Sequence, residues 1–401
     1  MFWWGNQTRN ERTQQILDMF MEANPGVTID GQFADGTDYW TRLATLSAGG
    51  VIPDVIQMEY EFISQYHDNG SLLDLTPYVD SGVIDLSNVS ETIIIPGQFG
   101  DKYFGVANGI NAFSLLYNKT LLDEAGIKVN DNMTLEEFKD ICREVYEKTG
   151  YKTDLSYGAA TSTSFLEYLL RAHDIQLFGD GAFGVNSAED FEEFFTLFEI
   201  GIQEGWHVDP SVYAERQLAA VEQSCLVYGS NPANRSWCGF HASNQITAMQ
   251  AAAHDGVEIA LTVLPSTNVA VSNFLRPAQF FCISADSQYP DTAAALINFI
   301  TNSVECNEVL LAERGIPVSA VVAEAILPKL SVENQKATAY ITDVVTPNST
   351  AINPPPSSAA AEIRDLIASI LERLLYQEIT AQEAAAQFYE QGNAIMAENA
   401  E

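Results

Sequence analysis

Two periodicities take turns along the first sixty residues. Phe2-Trp3-Trp4 is a short unbroken apolar run that predicts a buried strand. Ile16, Leu17, Phe20 and Met21 then recur at helical spacing, predicting an amphipathic helix over 11–22 that is stopped by Asn24-Pro25-Gly26. Val27 to Phe33 predicts a second strand, 38–47 a second helix ending in Gly49-Gly50, and Val55 to Met58 a third strand opened by Pro53-Asp54. A β-α-β-α-β order of this kind implies a parallel sheet with helices on both faces. Its ligand crevice lies at the carboxyl ends of the strands.

Beyond residue 103 the pattern changes. A bend rich in Gly and Asn, ending in Asn108-Gly109-Ile110-Asn111, runs into the apolar stretch Phe113 to Tyr117 and then into a helix stopped by Gly126, which predicts a crossing from one lobe to another. Thr134 with Glu137, and Thr380 with Glu383, have the spacing of capping boxes. Residues 165–170 and 191–200 predict amphipathic helices, and Ile363, Leu366, Ile367, Ile370, Leu371 and Leu374 trace one face of another. Val257 to Leu264 and Phe280 to Ser284 predict strands, with a second crossing in the stretch between them. Gly179 to Gly184 satisfies G-x-G-x-x-G but follows a helical pattern instead of a strand, so it predicts a loop with no nucleotide.

Length and charge narrow the function. At 401 residues the chain is long for one core, which favours two α/β lobes. Nineteen Lys and Arg against 54 Asp and Glu give a formal charge of −35, which excludes binding to a phosphate backbone. Such charge suits a soluble monomer, and ordinary surface solubilisation explains it equally well. No run of about 18 apolar residues is present. Met1 leads straight into the first strand without a charged, apolar or cleavage region, so a leader is expected to have been trimmed.

Five scattered cysteines lack C-x-x-C spacing, so neither a zinc site nor a disulfide framework is indicated; they read as buried small hydrophobes, with Cys225 and Cys238 the one pair that an oxidising compartment could join across a loop. The five histidines are dispersed, so neither metal nor cofactor is expected, and no nucleophile elbow is present.

Several landmarks occur in order: Asn24-Pro25-Gly26-Val27, Ala48-Gly49-Gly50 with Pro53-Asp54-Val55, Leu72 to Pro77, Tyr117-Asn118-Lys119, Glu124-Ala125-Gly126, Ser243-Asn244-Gln245 and Gly315-Ile316-Pro317-Val318. Together they span nearly the whole chain and resemble family 1 of the extracellular solute-binding proteins of ABC importers, the group of maltose-binding and other oligosaccharide-binding proteins. The resemblance implies an α/β, two-lobed periplasmic-binding-protein-like fold of class II type, each lobe a mixed sheet flanked by helices, with the ligand cleft between lobes. Lobe 1 would hold 1–111 and about 276–325, lobe 2 would hold 112–275 and about 326–401, with hinges near 108–113 and 272–280.

The resemblance also implies a function without catalysis or cofactor. The protein would capture a sugar, an oligosaccharide, outside the cell and deliver it to the permease subunits of an ABC importer, as a lipoprotein tethered to the membrane or a periplasmic protein. Where many relatives have Gly-Lys-Ala-Ala-Met, this chain has Cys225 to Ser236, so ligand contacts there depart from the pattern.

Sugars are held by aromatic faces against their C–H surfaces and by planar polar groups that satisfy hydroxyl pairs. Trp4, Asn6 and Arg9 follow the first strand, and Glu59, Tyr60 and Glu61 follow the third, all crevice positions. The resemblance adds Asn108 and Asn111 on the crossing strand, Trp237, Phe240, His241 and Asn244 on a loop that offers a stacking aromatic, and Arg276 and Gln279 beside the second crossing. Each has a plainer alternative: core burial for Trp4, capping or surface pairing for Asn6 and Arg9, solvated charge for Glu61, a turn for Asn108 and surface for Arg276. Rival functions are a same-fold binding protein for iron or polyamine, and a secreted glycan-active enzyme. Against the enzyme, Glu59 and Glu61 on one loop rarely face a substrate from both sides. A sensor role without transport has the same sequence signature.

Overall fold

The computed structural model of the chain describes residues 1–5, 7–155, 159–216, 221–229, 231–354 and 359–399. The chain forms two compact units, Met1–Asn111 with Leu275–Thr338, and Ala112–Phe274 with Ala339–Glu401.

In the first unit the apolar triplet forms β1 (Phe2–Trp4), and β2 (Gln32–Ala34) and β3 (Val55–Met58) run parallel to it. The connecting helices are α1 (Gln7–Ala23) and α2 (Gly36–Ala48), and α3 (Ile63–Asp68) follows β3. Asp35 caps α2 by accepting the Asp38 N–H at 3.1 Å, satisfying one of the donors left open at a helix start. A short ribbon of β4 (Gln98–Phe99) and β5 (Lys102–Tyr103) precedes β6 (Val106–Asn111). After its excursion through the second unit the chain returns as β10 (Arg276–Ile283), which inserts between β3 and β6 and runs antiparallel to both. The sheet order is β2-β1-β3-β10-β6. Trp3, Ile16, Leu17, Phe20, Phe281 and Ile297 form its main core.

The second unit is centred on β7 (Phe113–Asn118), antiparallel to β8 (Cys238–Ala242) on one side and β9 (Ile259–Thr262) on the other. Both predicted capping boxes form: Thr134 and Thr380 accept from the N–H of Glu137 and Glu383, and each glutamate reaches back to the threonine N–H at 2.8 Å. Gly126 ends its helix at φ +69°, a left-handed turn for which glycine carries no steric cost. Helix 360–375 buries Ile363, Ile367, Ile370, Leu371 and Leu374 as the periodicity predicts, with Leu366 at its edge.

The structure differs from expectation in three places. Residues 27–31 are irregular, and the second strand begins only at Gln32. The strand expected at 280–284 starts at Arg276, so its first turn of sequence, polar and carrying Pro277, is strand as well. Residues 326–338 belong to the first unit and not the second, because Val322, Ile326 and Leu330 pack with Val304 and Leu311 of that unit. Cys225 and Cys238 are not joined: all five cysteines are free and buried. The 179–184 segment is a tight loop closed by Gly179 N–H to Ala182 O and Gly184 N–H to Leu177 O, both 2.9 Å. Among the described residues, no helix is long and apolar enough to cross a membrane.

Candidate functional site

The parallel strands β1, β3 and β6 all end on one edge of the first unit's sheet, and antiparallel β10 begins there. Trp4, Glu59, Asn111 and Arg276 therefore share that edge. Trp4 closes β1 half-buried, and its ring lies 5.3 Å from that of Trp40 on α2. Trp40 in turn lies 4.3 Å from Phe62, which precedes α3. Tyr39 supports the row from beneath: fully buried, 5.0 Å from Trp4 and 5.1 Å from Trp40, it donates its hydroxyl to Gln57 O at 2.5 Å. Burial raises the Tyr39 pKa well above the usual phenol range, so it remains a donor. Trp4, Trp40 and Phe62, each half-buried, form an aromatic row whose partly open faces are the kind that cover sugar C–H surfaces.

Polar groups flank this row. The loop after β3 is turned by the N–H groups of Phe62 and Ile63 bonding to Glu59 O at 3.1 Å each. It leaves Glu59 and Glu61 half-buried, while Tyr60 packs inward against Phe280 at 6.3 Å. Tyr60 is 8% exposed and contributes support, not a ligand face. Glu61 Oε1 lies 3.6 Å from Arg276 Nη2, and Arg276 stands opposite Asn111 across β10 and β6. On β6, Asn108 is 8% exposed with neither side-chain Nδ2 nor Oδ1 partnered, and Asn111 Oδ1 is likewise unpartnered. Buried amides of this kind cost free energy unless something else satisfies them.

The backbone here is shaped around Arg314. The β10–β6 register shifts on both sides of Gln279, and a Cβ at Gly109 would stand 2.2 Å from Arg314 O, so only glycine allows that approach. Gln279 is buried and bound to Arg314, accepting from Nη1 at 2.9 Å and donating to its carbonyl at 3.3 Å. Arg314 also donates to Gln57 Oε1 and to Thr13 Oγ1. Burial first, and Arg9 second, pull its pKa down to about 9. Arg9 is held at 2.8 Å by Glu313, with a further bond to Trp4 O at 3.4 Å. Gln279 is thus buried framework, correcting its assignment to ligand contact, while Arg9 stays partly exposed beside Glu313. Asn6 lies outside the described residues.

In the second unit, two expected aromatics are core. Trp237 is 0% exposed, donates its indole N–H to Thr153 Oγ1 at 2.8 Å and packs 5.9 Å from Phe138. Phe240 is 2% exposed between Phe138 and Phe165. Neither has a face to offer: Phe240 on β8 and Trp237 just before it both pack into the main core of that unit. His241 is half-buried, its Nε2 3.3 Å from Ser224 Oγ, and burial holds its pKa below the usual range. Asn244 is exposed on the turn that follows β8.

Trp40 and Phe62 were not singled out from the sequence, although a signal existed. Phe62 lies just past the carboxyl end of a predicted strand, the same position that pointed to Glu59, and Trp40 lies in the first turns of the helix after the second strand.

The sequence profile of the family described as bacterial extracellular solute-binding proteins matches residues 4–304. The Escherichia coli protein YcjN, assigned by name to the periplasmic-binding proteins of ABC transporters, is 23% identical over 177 residues, 41% of this chain. The chain spans only 39% of that relative's length. Among solved structures, an extracellular solute-binding protein of family 1 from Alicyclobacillus acidocaldarius is similar at a TM-score of 0.84 and 23% identity, covering 99% of this chain and 97% of its own. A periplasmic oligogalacturonide binding protein from Yersinia enterocolitica has a TM-score of 0.79 at 21% identity, covering 100% and 99%. An ABC substrate-binding protein from Listeria monocytogenes in complex with cycloalternan reaches 0.75 at 17%, covering 99% and 98%.

Proposed function

We propose that this chain, which belongs to the bacterial extracellular solute-binding proteins, binds an oligosaccharide at the carboxyl-end edge of its first sheet and hands it to the permease subunits of an ABC importer. The observation that carries the reading is the row Trp4, Trp40 and Phe62 set beside Glu59, Asn111 and the Glu61–Arg276 pair. Ring faces cover apolar sugar surfaces, and the unpartnered amides of Asn108 and Asn111 are suited to hydroxyls that would otherwise lose their hydrogen bonds on leaving water. Similar folds in Yersinia enterocolitica and Listeria monocytogenes carry oligosaccharides by description, which supports the ligand class. The family is one of binding proteins, and this chain makes or breaks no bond in the proposed role.

A second reading has an observation in its favour. Carboxylates beside aromatic faces also suit a polyamine, through ion pairing and cation–π attraction. A thermal-shift panel of mono- and oligosaccharides, polyamines, amino acids and iron separates the two. A ligand at a hundred times its Kd adds about 2.7 kcal/mol to native stability. A shift confined to one saccharide series supports the proposal, and a shift with a polyamine or iron alone overturns it.

A further inference from the structure

We infer that the ligand is an uncharged saccharide, and that Glu61, by neutralising Arg276, makes this edge reject sugars bearing a carboxylate. The inference rests on the sugar reading above and adds the charge class to it. Recognition of a uronate calls for a guanidinium or ammonium free to meet a carboxylate, preferably in the two-pronged geometry of arginine. The arginines around this sheet are all engaged. Arg276 is paired with Glu61 at 3.6 Å, and Arg9 with Glu313 at 2.8 Å. Arg314 is 2% exposed, out of a ligand's reach, and its two terminal nitrogens donate to Gln57, Gln279 and Thr13. Arg42 lies over the Phe2 ring at 5.0 Å.

The rest of the edge has the opposite polarity. Glu59 and Glu61 supply two carboxylates, and the faces of Trp4, Trp40 and Phe62 present the negative side of their ring quadrupoles. A carboxylate ligand that drew Arg276 away would break its pairing with Glu61, exchanging one ion pair for another with no net gain in pairing. The chain's formal charge of −35 opposes an anion further. A neutral sugar meets none of these penalties.

Calorimetric titration of the full chain tests this, using neutral di- and trisaccharides and the same compounds oxidised to the carboxylate at C6. The neutral form is expected to bind at least tenfold more tightly than its oxidised counterpart. Glu61→Gln should shrink that ratio at least tenfold by releasing Arg276, and Arg276→Gln should widen it. Thermal melting of each variant confirms folding. Equal or tighter binding of the oxidised sugars by the unmodified chain, or a ratio that neither substitution moves, overturns the inference while sparing the sugar reading. Silence toward both saccharide series, with binding of a polyamine or iron, overturns the sugar reading itself.

Discussion

Trp237 donates its indole N–H to Thr153 Oγ1 at 2.8 Å, inside a core with no route to solvent. Trp237 is a structural ring of the second unit, in contrast to Trp4, Trp40 and Phe62, which line an edge of the first. Trp237→Ala is expected to cost about 3 to 5 kcal/mol of stability, the range for deleting a large buried ring. Urea unfolding followed by intrinsic fluorescence and far-UV dichroism measures it. A variant as stable as the parent would refute the core placement.

Trp40→Ala and Phe62→Ala should behave in the opposite way. Each removes a half-buried ring from the row, so ligand affinity should fall by roughly 1 to 3 kcal/mol with a much smaller loss of stability. Titration with whichever saccharide shifts the melting temperature reads the affinity. Unchanged binding in both variants would take the row out of the site.

Gln279→Leu tests the buried arginine. The substitution removes an acceptor of the Arg314 guanidinium in a place water does not reach, and should destabilise the first unit by about 2 to 4 kcal/mol. Gln279→Glu restores an acceptor and should recover part of the loss, as seen in the unfolding midpoint. If Gln279→Leu weakens ligand binding without lowering stability, Gln279 belongs to the site after all.

His207 predicts an acid limit. It is 1% exposed among Phe198 and Tyr213, its Nδ1 bonds to Val208 O at 2.7 Å, and burial pushes its pKa down to about 4. The unfolded chain takes up this proton near pH 6.5, the folded chain only near 4, so the contribution is complete above about 6.5 and is lost as pH falls toward 4. The difference amounts to about 3 kcal/mol at most. Unfolding free energies at pH 7.5 and 5 should differ less in His207→Gln than in the parent chain, and an identical difference would exclude His207 as the cause.

The thiols should be silent in the native protein. Burial raises the pKa of Cys142, Cys225, Cys238, Cys282 and Cys306 alike, so the reactive thiolate is scarce and inaccessible. A disulfide-exchange reagent at pH 8 is expected to titrate none before denaturation and all five after it. Three after denaturation would mean that two are joined.

The parts of the fold written in local chemistry were readable in the sequence. The strand at Phe2–Trp4, the helix stops at Gly49 and Gly126, and both capping boxes depend on residues within a few positions of one another. The start of β10 was missed because Arg276 and Gln279 carry polar side chains for reasons of tertiary structure: one faces the edge and the other serves Arg314. The aromatics of the second unit were misassigned for a related reason. Trp237 and Phe240 are three positions apart, so strand alternation would bury at most one of them, and only packing against Phe138 and Phe165 shows that both are core. Phe62 was within reach, since the carboxyl-end rule that selected Trp4 applies equally to the loop after β3, whereas Trp40 sits inside the helix that follows β2.

The placement of β10 also bears on when the protein can fold. Its neighbours β3 and β6 are complete by Asn111, yet the strand that joins them begins only at Arg276, after the whole of Ala112–Phe274. The second unit waits as well, because its helices 360–375 and 381–398 come at the end of the chain. Closing loops of that length carries an entropy cost before any contact returns it, and such distant pairings fold slowly. A nascent chain therefore completes neither the first sheet nor the second unit's helical core until most of its length has been made.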